Sequence, residues 1–325
     1  MTLFELNLPK QFEEEYIDKL RPGLINRIIN GVGEKNKVKL SKSVIDILIP
    51  GHSSPKPDYS VLDKLLIGTP EILIEEHSRI TDEISKLKRC KQPKLKDIER
   101  VFNYDGQLSQ SKSKGYWLSK LIQSPTCCYC NRQYAFTIER NGGTNDDNRI
   151  ARPAFDHWFP KEKYPLLSLS LYNLIPCCTV CNSSTKGITN MNLQDYIHPY
   201  VHRSPKPKIK FVVETSTEPD ERWTIKINRK KNSPEDNTIK LFSLDEIYRM
   251  HNKLELKDIM DFRDNYPDDY IKDLMNLLKN AQINTPTLTR KDIYRMLFGV
   301  EYDDDKHLDR PFGKMKNDIL KEILE

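Results

Sequence analysis

Two cysteine pairs constrain what this chain can fold into. Cys127 and Cys130 in the run TCCYCN, and Cys178 and Cys181 in CCTVC, form two C-x2-C units with 47 residues between them. A C-x2-C turn aims both sulfurs at one point, and two such turns supply the four thiolates of a tetrahedral zinc site with Zn–S bonds of ~2.3 Å. Any fold that closes this site must bring the two runs side by side. Cys128 and Cys177 are near-duplicates that could shift the register by one, but only Cys127 and Cys178 preserve both spacings. The alternative is six reduced, buried thiols; in a reducing compartment zinc is preferred to disulfides. Cys90, alone in KRCKQP, reads as an incidental thiol.

The compartment follows from what the sequence lacks. The start, MTLFELNLPKQFEEEY, has no basic segment followed by an apolar run, and no stretch reaches the ~18 apolar residues of a membrane helix. The expectation is a cytoplasmic protein with no membrane partner. The net charge of +5 is too small to announce a nucleic-acid binder by itself. Local basic clusters at Arg203, Lys206, Lys208 and Lys210, and at Arg229, Lys230 and Lys231, are either solvated loop ends or phosphate contacts.

Periodicity divides the chain into three zones. Residues 1–120 carry apolar positions at helical spacing, as in EEEYIDKLRPGLINRIINGV and PEILIEEHSRITDEISKLK. A middle zone holds six of the seven cysteines and the short β-like runs YAFTIE, IKFVVET and WTIKIN. Helical patterning returns in LDEIYRMHNKLELKDIMDFRDNY and IKDLMNLLKNAQ. There is no internal repeat.

Between the cysteine pairs lies RPAFDHWFPKEKYPLLSLSLYNLIPCCTVCNSSTKG. This segment resembles the HNH, or ββα-metal, nuclease motif: FDHWFP matches its D-H-x-x-P, YNLIP its central N-L, and CNSSTKG its closing helix. The match covers roughly residues 121–200. One departure is visible. The motif commonly ends C-N-x-x-K, whereas here the lysine, Lys186, stands one residue later. GYWLSKLIQSPTCCYCN, IHPY and the tail RPFGKMKNDIL further resemble the HNH nuclease subunit of Septu-like anti-phage defence systems, which works beside an ABC-type ATPase.

The resemblance implies a fold and a set of roles. The fold class is α+β: a mostly helical N-terminal region (1–120), a small zinc-stapled HNH nuclease core (121–200), and a short β pair followed by a helical C-terminal region (201–325). Phosphodiester hydrolysis needs a base for water and a cation for the transition-state charge. His157 suits the first task, since its unperturbed pKa of ~6.5 leaves neutral imidazole dominant. Asp156 and Asn182 suit the second, as hard oxygen ligands for catalytic Mg²⁺ or Mn²⁺; an Asn where the motif ends in His moves the preference away from Zn²⁺ or Ni²⁺. Asn173, by resemblance, ties down the loop behind His157. Lys161 and Lys186 are candidate phosphate contacts, and His198 packs at a turn. The expected function is a metal-dependent endonuclease on DNA, or RNA such as tRNA, with structural Zn²⁺ and an ATPase partner that the helical regions would dock. The alternative is a zinc-stapled nucleic-acid- or protein-binding adaptor without catalytic activity.

Overall fold

The computed structural model describes residues 4–34, 37–140, 149–201, 209–265, 269–280 and 289–324. The class is α+β, with helices on either side of three small antiparallel sheets. Among the described residues no helix is long and apolar enough to cross a membrane.

The helical periodicity of the first zone becomes six helices: α1 (Gln11–Asn30), α2 (Lys42–Leu48), α3 (Ser60–Ile67), α4 (Pro70–Ser85), α5 (Leu95–Phe102) and α6 (Lys112–Ile122). In α1 the buried residues Tyr16, Leu20, Leu24 and Ile28 recur every four positions and make one apolar stripe. Helix α4 starts with Pro70 at its first turn, where a missing N–H costs nothing. Buried side chains from all three zones, Phe4 to Leu320, belong to one hydrophobic cluster.

The strands follow the alternation of the sequence less closely. A strand predicted over 134–139 is reduced to β1 (Ile138–Glu139), which pairs with β2 (Arg149–Ala151). The residues before it are drawn off to the cysteine loop, where Tyr134 bridges Thr126 and Ala135 N donates to Pro125 O at 2.7 Å. Strands β3 (Ala154–His157) and β4 (Leu174–Cys177) pair in register Asp156↔Ile175 and His157↔Leu174. β5 (Lys210–Thr215) and β6 (Trp223–Asn228) form the β pair, with Phe211, Ile225 and Ile227 turned inward.

In the last zone lie α7 (Pro234–Leu241), α8 (Leu244–Arg249), α9 (Lys257–Asn265), α10 (Tyr270–Asn280), α11 (Arg290–Phe298) and α12 (Gly313–Leu324). The long helical pattern from Leu244 breaks between α8 and α9. There the buried Asn252 accepts from Ile225 N and donates to Glu221 and Thr224, so the backbone widens to let it face β6. Arg203, Lys206 and Lys208 lie outside the described residues.

Both helical regions grip the middle zone. From the N-terminal side, Tyr16 Oη donates to Leu169 O at 2.9 Å, Ser170 Oγ donates to Leu65 O, and Tyr172 Oη donates to Glu13 at 2.5 Å. These bonds fix the loop between β3 and β4. From the C-terminal side, Tyr248 Oη donates to Cys130 O at 2.7 Å, and Tyr129 stacks on Phe242 at 4.2 Å. Asn131, next to the first cysteine pair, is fully buried and left-handed at φ 47°. Its Nδ2 donates to Thr126 Oγ1, His307 O and Arg310 O at 3.0, 3.1 and 3.0 Å, and its carbonyl accepts from Phe312 N at 2.6 Å.

Asn131→Ala would remove the side-chain donor to the buried His307 carbonyl and place a non-Asn residue in the left-handed region. We expect a loss of about 3 kcal/mol in stability, read by chemical denaturation of the zinc-loaded protein. A loss below about 1 kcal/mol would show that this anchor contributes little.

Candidate functional site

The two cysteine runs meet. The sulfurs of Cys127, Cys130, Cys178 and Cys181 all lie within 4.8 Å of one another, every one buried. Four sulfurs on one zinc ion sit about 3.8 Å apart, the edge of a tetrahedron with ~2.3 Å arms. Cys130 Sγ and Cys178 Sγ are 4.0 Å apart. The backbone has the matching form: Asn131 N closes the first turn on Cys127 O at 2.8 Å, and Cys181 N donates to Cys178 Sγ at 3.4 Å. The near-duplicate cysteines stay outside. Cys128 Sγ donates to Phe4 O, and Cys177 ends β4 opposite Ala154. The group can hold a structural metal such as zinc, and the donor set fits it in number, type and spacing.

The first cysteine turn also reaches a carboxylate. Tyr129, one residue before Cys130, is buried, and burial holds its phenol far above the usual range, so it remains a donor. It donates to Asp156 Oδ2 at 2.6 Å. Asp156 Oδ1 accepts from Lys186 Nζ at 2.9 Å, and the same Nζ donates to His157 O at 2.7 Å. Asp156 and Lys186 are both 2% exposed, a full buried ion pair. Burial pushes the Asp156 carboxyl upward, while Lys186 and Tyr129 pull it back.

Lys186 reaches Asp156 because the turn that carries it is wide. The segment Val180–Lys186 is π-helical over its 7 residues. In an α-helix positions four apart share a face, whereas π geometry closes over five. Cys181 and Lys186, five apart, are accordingly both buried while Ser183 and Ser184 are exposed. Lys186 is thereby placed on the inner face. Lys186 thus meets Asp156 rather than standing free for a phosphate.

His157 ends β3 at the rim of a cleft of about 390 Å³. Its Nε2 is 3.0 Å from Ser168 O. A carbonyl can only accept, so Nε2 carries the proton and Nδ1 keeps the lone pair. Burial pushes the imidazole pKa down to about 4; Ser168 O opposes this, and Lys161 and Lys186 reinforce it. The Tyr104 ring meets the imidazole edge-on at 4.3 Å.

The other sequence-predicted residues fall into place around it. Asn173 is fully buried; its Oδ1 accepts from Phe159 N at 2.7 Å, and its Nδ2 donates to Phe159 O and Leu167 O at 3.1 and 2.9 Å. It ties the loop after His157 and does not line the cleft. Asn182 lines the cleft, half-buried. Lys161 lines it too, paired with Asp105 at 2.8 Å. His198 is buried at a turn, its Nδ1 accepting from Tyr200 N. Of the basic clusters, Arg229 is committed to Asp236 and Asp245.

Sequence reasoning missed four residues here. Tyr129 reads as spacer between cysteines. Tyr104 and Asp105 come from the helical region and reach the cleft only through packing. Arg152 also lines it, with Nη2 on Ser109 O at 3.1 Å, beside Gly115, where a Cβ would lie 2.9 Å from Arg152 Nε. The one available signal was the position of Arg152 just before β3. Comparison with protein-family models, curated proteins and solved structures gives no match.

Two outcomes follow. Elemental analysis should find one zinc per chain, and Cys178→Ser should lose it together with cooperative unfolding, since structural zinc contributes on the order of 10 kcal/mol of folding energy. Zinc-free wild type would refute this. The His157 ring, assigned in NMR spectra with His157→Gln, should titrate at about pH 4 rather than ~6.5. The unfolded chain then binds the proton first. The stability held in neutral His157 is therefore complete above about pH 6.5, declines as pH falls, and is gone below about 4.

Proposed function

We propose that the cleft hydrolyses phosphodiester bonds of nucleic acid, DNA in preference to RNA, with His157 as general base. One observation carries this reading: a neutral imidazole with its tautomer fixed through Nε2 stands in the same cleft as the cationic side chains Lys161 and Arg152. Nδ1 accepts the proton of a water whose oxygen attacks phosphorus. The P–O bond to the leaving oxygen breaks, and that oxygen leaves as an alkoxide that takes a proton from solvent. Positive side chains offset the charge that builds on the phosphoryl oxygens. Lys161 is the readiest of them, because its partner Asp105 is half exposed at the rim and a phosphate oxygen can replace it. Asn173 keeps the loop behind the base in place and touches no substrate.

The Mg²⁺ or Mn²⁺ that the resemblance implies on Asp156 and Asn182 does not fit the donors as they are folded. Tyr129 holds Oδ2, Lys186 holds Oδ1, and the carboxylate charge is already matched. What remains is the neutral carbonyl oxygen of Asn182. No step above depends on such an ion. A defence setting and an ABC-type ATPase partner belong to the same proposal and rest on the sequence resemblance.

The test uses the zinc-loaded chain on supercoiled plasmid, single-stranded DNA and tRNA, with and without added Mg²⁺ or Mn²⁺. His157→Gln should lower cleavage at least ~100-fold with zinc content unchanged. Cleavage at the wild-type rate in this variant would overturn the role of His157. Binding without any cleavage by the wild type would favour the adaptor reading.

A further inference from the structure

We propose that Lys186 is the resident cation of the cleft: its ammonium fills the place beside Asp156 that a divalent metal would need, so lysine and metal exclude one another. Three observations carry this. The ammonium is gripped by two hard oxygens, Asp156 Oδ1 at 2.9 Å and His157 O at 2.7 Å, the donor type that Mg²⁺ and Mn²⁺ select. It is fully enclosed, with its side chain 1% exposed. And the second carboxylate oxygen already accepts from the buried Tyr129, so a metal at Asp156 would have to share or displace a contact already made.

The π-helical turn makes the arrangement deliberate in the chain's geometry. Without the extra width, a residue five positions beyond Cys181 would point away from β3 and leave a buried, uncompensated carboxylate. A carboxylate in that state either takes up a proton or recruits a cation from solution. Lys186 supplies the cation from within. With its bonds to Asp156 and His157 made, the ammonium stays committed to them at the wall of the cleft. Metal binding at Asp156 is separate from cleavage by His157, and the test reads binding alone.

Mn²⁺ is titrated into the zinc-loaded full-length chain and followed by electron paramagnetic resonance of the free ion. Wild type should bind no more tightly than Asp156→Asn. Lys186→Met, which keeps the length and removes the charge, should gain one Mn²⁺ site at least about tenfold tighter, lost again when Asp156→Asn is added. Wild type binding Mn²⁺ through Asp156 as tightly as Lys186→Met, or no gain in Lys186→Met, would overturn the proposal. Should Lys186→Met not fold, amine labelling of the wild type decides. Lys186 should stay protected with and without millimolar Mn²⁺ while no Asp156-dependent Mn²⁺ binds. A bound, Asp156-dependent Mn²⁺ with Lys186 still protected would show that metal and lysine share the carboxylate, contrary to the proposal.

Discussion

Four buried sulfurs drawn from two runs of chain set the terms for everything around them. For Cys127 and Cys130 to face Cys178 and Cys181, the chain between must double back, and it does so as β3 and β4. That hairpin is only four residues long on each side, too short to be stable alone. Its stability comes from outside. The cysteine group closes its far end, Asn173 ties its loop, and helices from both ends of the chain bond to that loop and to the first cysteine turn. The position of His157 is thus a product of long-range packing more than of local sequence.

Asp156 is where the two halves of the site join. One oxygen faces the first cysteine turn through Tyr129, the other faces the second through Lys186, and the next residue in the chain is His157. Both cysteine turns and the backbone of His157 are thus tied to one carboxylate and its lysine. Breaking a buried pair of this kind costs more than the pair contributes, because it strands a charge. Such a junction favours a rigid site over an adjustable one.

Much of this was legible in the sequence. The cysteine register followed from spacing alone, since only one choice preserves both C-x2-C units, and the helical stripe of α1 followed from its apolar period. The grouping of Asp156, His157 and Asn182 around one cleft came from motif order. The inward turn of Lys186 did not. A π-helical turn leaves no mark in a periodicity read at 3.6 residues, so the face on which Lys186 lies could not be read from its spacing to Cys181. Arg229 misled in the opposite way: its neighbours Lys230 and Lys231 made it look like a charged patch, while tertiary packing gives it two carboxylates. Tyr104 and Asp105 were invisible because nothing local distinguishes a helix end that will meet a distant strand.

The anchor at Asn131 carries a consequence in time. Its amide partners His307 and Arg310 lie 176 and 179 residues further along the chain. At synthesis rates of about 5–20 residues per second, the first cysteine turn waits roughly 9 to 35 seconds for them. During that interval the first cysteine turn has emerged without its bonds to His307 and Arg310 in the C-terminal region. The loop at Asn131 is therefore secured from the C-terminal side only once translation has passed residue 310, although the residues that line the cleft have all been made well before.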